Sequence, residues 1–187
     1  MSREWCFAEL TQEQAAKKGD LQMIALKIED LKTFTAQLFM GETFDYWLVR
    51  EANIVTFNSF TIDGRIRQGY YSDEELETNR IEELSSWKTL RPFCYSLIRG
   101  RKLPESFQIT LQLSPEENEK FIRRVKPDLP ADQIAALYLN IRYENHAAAC
   151  VTGTSLKIFM LDKQIEQEWD ETVRRYFKKL QIPYVEV

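Results

Sequence analysis

Histidine is almost missing: His146 is the only one in 187 residues. A catalytic triad or a histidine-bearing metal site needs partners at recognisable spacing, and none surround it. A solvated turn residue is the plainer reading. Cysteine is scarce as well. Cys6, Cys94 and Cys150 are scattered without paired spacing, which argues against a disulfide framework and fits a reducing cytoplasm. The six glycines stand singly as turn residues, so there is no phosphate-cradling loop and no dinucleotide fingerprint. No run approaches the ~20 apolar residues of a membrane span, and the N-terminus lacks the apolar core of a signal peptide. Basic charge is not in excess either. The net charge of −4 excludes a bulk polycation but not a local basic face. No catalytic residue, metal ligand or cofactor is assigned on these grounds.

What is present is ordinary globular composition, 44% hydrophobic and 29% charged, at a length that suits one domain with a real core. The chain is organised around residues 89 to 113, TLRPFCYSLIRGRKLPESFQITLQL. Leu90, Phe93, Cys94, Leu97 and Ile98 form one helical stripe. Thr89 is placed to cap that helix, with Pro92 in its first turn, Gly100 left-handed past its end and Pro104 blocking continuation. Phe107, Ile109, Leu111 and Leu113 then alternate with polar residues, as in a half-buried strand. Cys94 and Cys150 fall on apolar positions and read as core residues rather than nucleophiles.

Around this stretch the pattern is that of an α+β domain with an antiparallel sheet. A strand begins at Met23, and Asp30 caps a helix bearing Leu31, Phe34, Leu38 and Phe39, closed by Gly41. Strand-like sequence follows from Phe44 to Tyr71. Asp63-Gly64 reads as its hairpin turn, with Gly64 left-handed and Phe60 opposite Ile66. Val55 and Phe57 are odd-numbered while Phe60 and Ile62 are even, so a bulge is expected near Asn58-Ser59. Ser72 and Glu75 make a capping box for an acidic, solvated helix. Ser114-Pro115 starts another helix, with Phe121, Ile122 and Val125 on its buried side. Leu137, Leu139, Ile141 and Tyr143 alternate as a strand. Glu144-Asn145 turns into a strand at Ala147 to Thr152, and Gly153-Thr154 into another at Leu156 to Leu161. Asp162 caps a last amphipathic helix carrying Ile165, Trp169, Val173, Tyr176 and Phe177. Its acids come first and its bases last, matching the helix dipole. Ile182 to Val187 adds an edge strand.

Residues 1–22 are polar and without period. They read as an N-terminal extension to a single domain at 23–187, either as a short helix or as sequence ahead of a natural start at Met23. The codons for Lys18-Gly19-Asp20 can spell a purine-rich bacterial ribosome-binding tract ahead of that methionine.

The element order from Met23 repeats roughly: strand, helix and hairpin strands, then helix, strand and hairpin strands. This order resembles one domain of the DNA sliding clamps. MIALKIEDL at 23 to 31 is similar to a clamp's opening strand and helix, LIRGRKLP at 97 to 104 to its second helix and exit, and Tyr138 to Leu161 to its closing strands. The resemblance implies helices on one side of the sheet and a basic helical face toward nucleic acid. The chain departs from a clamp in having one such domain, an inserted helix at Ser114 to Pro130, and a C-terminal helix without counterpart. MIALKIEDLKTF, NSFTIDGR, RPFCYSLIRGRKLP and GTSLKIFMLD also resemble a family of uncharacterised proteins from clostridial bacteria, which lends no known activity.

From Lys88 to Lys102 there are five basic residues and no acidic one. Lys88, Arg91, Arg99, Arg101 and Lys102 are therefore the candidate nucleic-acid or anion-binding residues. The plainer reading is that bases at a helix C-terminus complement its dipole. Tyr70, Tyr71 and Tyr95 are candidates for stacking on bases or on a partner. Paired acids such as Asp45 with Glu51 carry no weight by themselves. The expected function is a non-catalytic binding or scaffold protein of the bacterial cytoplasm. It would self-associate through sheet edges and meet nucleic acid or an acidic protein, not a membrane. The alternative is a small enzyme or ligand-binding protein with a cleft site.

Overall fold

The computed structural model describes residues 23–78, 81–130, 133–157 and 163–187. Seven strands form one antiparallel sheet: β1 Ala25–Ile28, β2 Leu48–Val55, β3 Ser59–Asp63, β4 Ser106–Gln112, β5 Ile134–Glu144, β6 Ala147–Leu156 and β7 Tyr184–Glu186. Their spatial order is β3-β2-β4-β5-β6-β1-β7. Five helices accompany them: α1 Leu31–Phe39, α2 Asp73–Thr78, α3 Trp87–Ile98, α4 Pro115–Val125 and α5 Gln164–Lys179.

The period-2 pattern of the strands explains the layering. Register aligns Ala52, Ile109, Ile141, Cys150 and Leu26 in one row across five strands, and all five are fully buried. The neighbouring row, Asn53, Gln108, Arg142, Ala149 and Lys27, points the other way. Gln108, Arg142 and Lys27 in that row are exposed. One face is dry and carries the helices; the other is wet. Phe34, Leu38, Trp87, Ile122, Trp169, Val173 and Phe177 from four helices join the strand residues in one core cluster. All three indoles buried in that cluster keep a hydrogen bond: Trp87 Nε1 donates to the Leu38 carbonyl at 2.7 Å, Trp169 Nε1 to the Tyr138 carbonyl at 3.0 Å and Trp47 Nε1 to the Tyr176 hydroxyl at 3.3 Å. That satisfies the polar atom of a large apolar side chain.

Several expectations are met. Asp30, Ser72 with Glu75, and Ser114 with Pro115 start helices as the caps require. The tail supplies the edge strand β7, paired with β1. Others are corrected. Asp63-Gly64 is not the hairpin turn. β2 and β3 pair from Val55↔Ser59 to Glu51↔Asp63, so the chain reverses at Thr56, Phe57 and Asn58. The parity change marks that reversal, not a bulge at Asn58-Ser59; the bulge lies in β2 between Val49 and Glu51. Gly64 is not left-handed. Its amide donates to the Arg50 carbonyl and its own carbonyl accepts from Ser85, so the chain passes flat against β2, where only a glycine fits.

Gly153-Thr154 is not a turn either: β6 runs through it, with Gly153 opposite Tyr138 and Thr154 opposite Leu137. β6 ends at Leu156 and Lys157 is a bend; residues 158–161 of the expected strand, and the Asp162 cap, lie outside the described residues, as does the whole of 1–22. Gly100 is not left-handed; Arg99 leaves α3 directly in extended conformation. The α3 cap is Ser86, whose Oγ accepts from the Thr89 amide at 3.3 Å, rather than Thr89. Pro92 consequently sits inside the helix. With Trp87 as first anchor the stripe is Trp87, Leu90, Cys94, Leu97 and Ile98. Phe93, roughly 100° from Cys94 around the axis, turns outward and is 62% exposed.

The repeat in element order is real, but the pairing does not repeat. β4 is hydrogen-bonded to β5 of its own half, whereas β1 and β2 are separated by three strands.

Candidate functional site

Three chain reversals meet at one end of the sheet. β2 ends at Val55, β4 begins at Ser106 and β5 ends at Glu144; Ser106 pairs with both Val55 and Glu144. The Glu105 amide also donates to the Val55 carbonyl at 2.9 Å. The 56–58 tip, the 99–105 loop and the 145–146 turn therefore lie side by side, with strand spacings of about 4.8 Å between them.

Two of these reversals have a local cause. Asn145 and His146 have φ of 51° and 60°, and the flanking Glu144 and Ala147 are paired. This is the two-residue turn with both central residues left-handed that matches strand twist. Asn and His tolerate that region better than most residues. In the 99–105 loop Arg99 leaves α3 in extended conformation, and Pro104 keeps the chain from resuming a helix. Lys102, Leu103 and Glu105 from this loop, with Tyr143, Asn145 and His146, line a cleft of about 530 Å³. The Tyr143 hydroxyl lies 3.4 Å from His146 Nδ1.

The five basic residues do not form one patch. Arg99, Arg101 and Lys102 are exposed in the loop, and among the described residues none of them has a carboxylate partner. Glu105 is the one carboxylate lining the cleft. Lys88 is exposed but stands at the other end of α3, eleven residues before Arg99, or roughly 16 Å along the helix. Arg91 is withdrawn from the surface. Its guanidinium faces the Asp45 carboxylate, with Nη1–Oδ1 at 3.4 Å and Nη2–Oδ2 at 3.5 Å. Asp45 is only 6% exposed. The pair fastens the start of α3 to the 45–47 loop, where the Trp87 amide also reaches the Trp47 carbonyl at 2.7 Å. Arg91 thus faces a buried acid rather than the open surface.

Of the aromatic candidates, Tyr95 packs against the core. Tyr70 is exposed and meets Tyr71 edge-on at 5.5 Å. The sequence reading missed Phe57, 85% exposed at the hairpin tip, and Leu103, 71% exposed beside Lys102. His146 is the exposed turn residue that the sequence predicts, but the fold also brings it to the cleft lined by Lys102. The parity break at residues 55 to 62 is the signal that locates Phe57. Nothing local brings His146 to Lys102, because their approach depends on the β4–β5 pairing.

A second concavity, about 410 Å³, lies between α4 and α5 over Trp47, Phe121 and Trp169. Its displaced groups are Lys120, whose pKa Glu117 raises, and Tyr176, raised by burial. Both shifts reinforce the form already present at neutral pH, so neither supplies an acid or a base. Burial pushes the Cys94 thiol up to about 12 and raises that of Cys150 as well, as suits core residues. Asp170 is raised chiefly by burial, but its Oδ1 accepts from the Thr152 hydroxyl at 2.5 Å beneath α5, away from both concavities. Among the described residues no group of three or more His, Cys, Asp or Glu side chains is placed to hold a metal ion, and no helix is long and apolar enough to cross a membrane.

No curated protein and no solved structure matches the chain. One family model does, over residues 37–185, and it takes in β2 through β7, α3 and the cationic loop: the chain belongs to the Family of unknown function (DUF5721).

Proposed function

We propose that this is a non-catalytic binding protein of the bacterial cytoplasm that engages nucleic acid through the end of its sheet. The observation carrying this reading is the loop itself. Arg99, Arg101 and Lys102 lie within four residues, are exposed, and lack a carboxylate partner among the described residues. Cations kept free in this way attract phosphates, which bind with counterion release. β3 and β7 each hydrogen-bond to a single neighbouring strand, which leaves two edges for self-association.

The test is fluorescence anisotropy of a labelled duplex between about 20 and 200 mM salt. Three phosphate contacts correspond to a log–log salt slope of about −2.7. The expected result is that slope in the wild type and its loss in Arg99→Glu/Arg101→Glu/Lys102→Glu. Binding unchanged by the triple reversal overturns the reading. Light scattering on the same samples reads the oligomeric state; a monomer at all concentrations removes the edge-association part.

A further inference from the structure

We infer that the strand accepted at this end of the sheet is single, with Phe57 and His146 stacking on its bases while Arg99, Arg101 and Lys102 hold its phosphates. This rests on the nucleic-acid reading and deepens it. A duplex presents phosphates but keeps its bases stacked inside, so an aromatic ring projecting from a loop tip reaches them only by unstacking a base step, at an energetic cost. A single strand offers both backbone and π-faces, and proteins that take it combine a cationic track with aromatic platforms.

The structure sets these two elements next to each other. Phe57 is two residues past Val55, and Leu103 two residues before Glu105. Val55 and Glu105 are joined by a 2.9 Å backbone bond. Each side chain is thus within about 7 Å of chain from one shared point. On the other side of the loop, Lys102 and His146 line the same cleft. The order across the sheet end is aromatic tip, cationic loop, imidazole turn.

Phe57 is also free to act. It is 85% exposed, and its described ring contact is the edge of Phe60 at 5.7 Å. A large apolar side chain held in water at the tip of a hairpin does nothing for the core. The left-handed backbone at His146 likewise holds its ring out at the surface, where the residue is exposed.

An acidic protein partner is the competing occupant. It would satisfy the three cations and cover Leu103, but it would not require planar rings at positions 57 and 146.

The experiment measures anisotropy of labelled oligo-dT and oligo-U 12-mers, a 12-bp duplex and polyglutamate against the full chain. The variants are Phe57→Ala, Phe57→Trp, His146→Asn (which keeps the left-handed turn without the ring) and the triple charge reversal. Circular dichroism confirms that each is folded. The expected result is single-strand binding at least 10-fold tighter than duplex. Phe57→Ala should weaken it roughly 10-fold, within the range for one stacked base, while leaving duplex binding unchanged, and Phe57→Trp should retain it. His146→Asn should weaken it less. If the charge reversal abolishes binding but Phe57→Ala has no effect, the single-strand inference fails and the nucleic-acid reading stands. If only polyglutamate binds, or the charge reversal changes nothing, both fail.

Discussion

Gly64 lies so close to the backbone of Val49 that a β-carbon built on it would stand 1.8 Å from the Val49 carbonyl oxygen. No side chain can be moved aside to relieve this, because the obstructing atoms are main chain. The contact holds the segment after β3 against the bulge of β2, where Ile66 then hydrogen-bonds to Glu83.

Gly64→Ala should therefore cost at least ~3 kcal/mol, at the upper end of overpacking penalties or beyond. Gly100→Ala is the control. A β-carbon there meets nothing within 4 Å and the backbone is not left-handed, so it should be neutral or stabilise by up to ~1 kcal/mol through the unfolded state. Denaturant melts of the two variants decide this. Equal stabilities would contradict the close approach.

Arg91 and Lys88 should separate in the same way. Arg91→Ala leaves Asp45 buried without its counter-charge, which typically costs about 3–5 kcal/mol. Lys88→Ala should stay within ~0.5 kcal/mol of wild type. Neither should alter the salt slope of nucleic-acid binding much, since Arg91 is turned inward and Lys88 is a helix length from the loop. A large binding loss in Arg91→Ala with stability intact would return it to the binding surface.

Asp170 gives a pH dependence with a definite sign. Burial raises its folded pKa above the ordinary carboxylate value. Between the two values the folded state holds more protons than the unfolded state, so this group's contribution falls as pH rises. The stability of wild type relative to Asp170→Asn should decline from about pH 4 upward and level off above the raised folded value. Chemical denaturation of both proteins from pH 4 to 8 measures it. A difference that grows in favour of wild type with rising pH would mean that the carboxylate is stabilised, not penalised, at this site.

Thiol reactivity tests the core positions. With a pKa of about 12, Cys94 is thiolate in only about one molecule in ten thousand at pH 8, and both Cys94 and Cys150 are fully buried. In a Cys6→Ser background, a disulfide reagent should find no reactive thiol in the native protein and two after unfolding. Rapid labelling of the native form would place a cysteine at the surface.

Much of this architecture is legible in residues close together in the chain. Caps such as Ser114 with Pro115, alternation such as Phe107 to Leu111, and the acid-to-base gradient of α5 act over a few residues, and those elements form where the pattern puts them. Glycines are the residues whose role is least local. Gly64, Gly100 and Gly153 carry the composition of turns, yet one is a close approach, one is an open loop position and one lies in a strand. A glycine records only that a side chain is absent, and the reason lies in what the fold brings opposite.

The sequence by itself determined the α+β class, the sheet with one dry face, and the run of bases in the 99–102 loop, because alternation, capping and local charge are short-range properties. Tertiary structure alone decided which of the five bases are free and what stands beside them. Arg91 is lost to Asp45, forty-six residues away. The segments that carry Phe57, Lys102 and His146 are brought to one end of the sheet by the β2–β4 and β4–β5 registers. Strand register is a collective outcome of packing the buried row from Ala52 to Leu26, and no local segment encodes it.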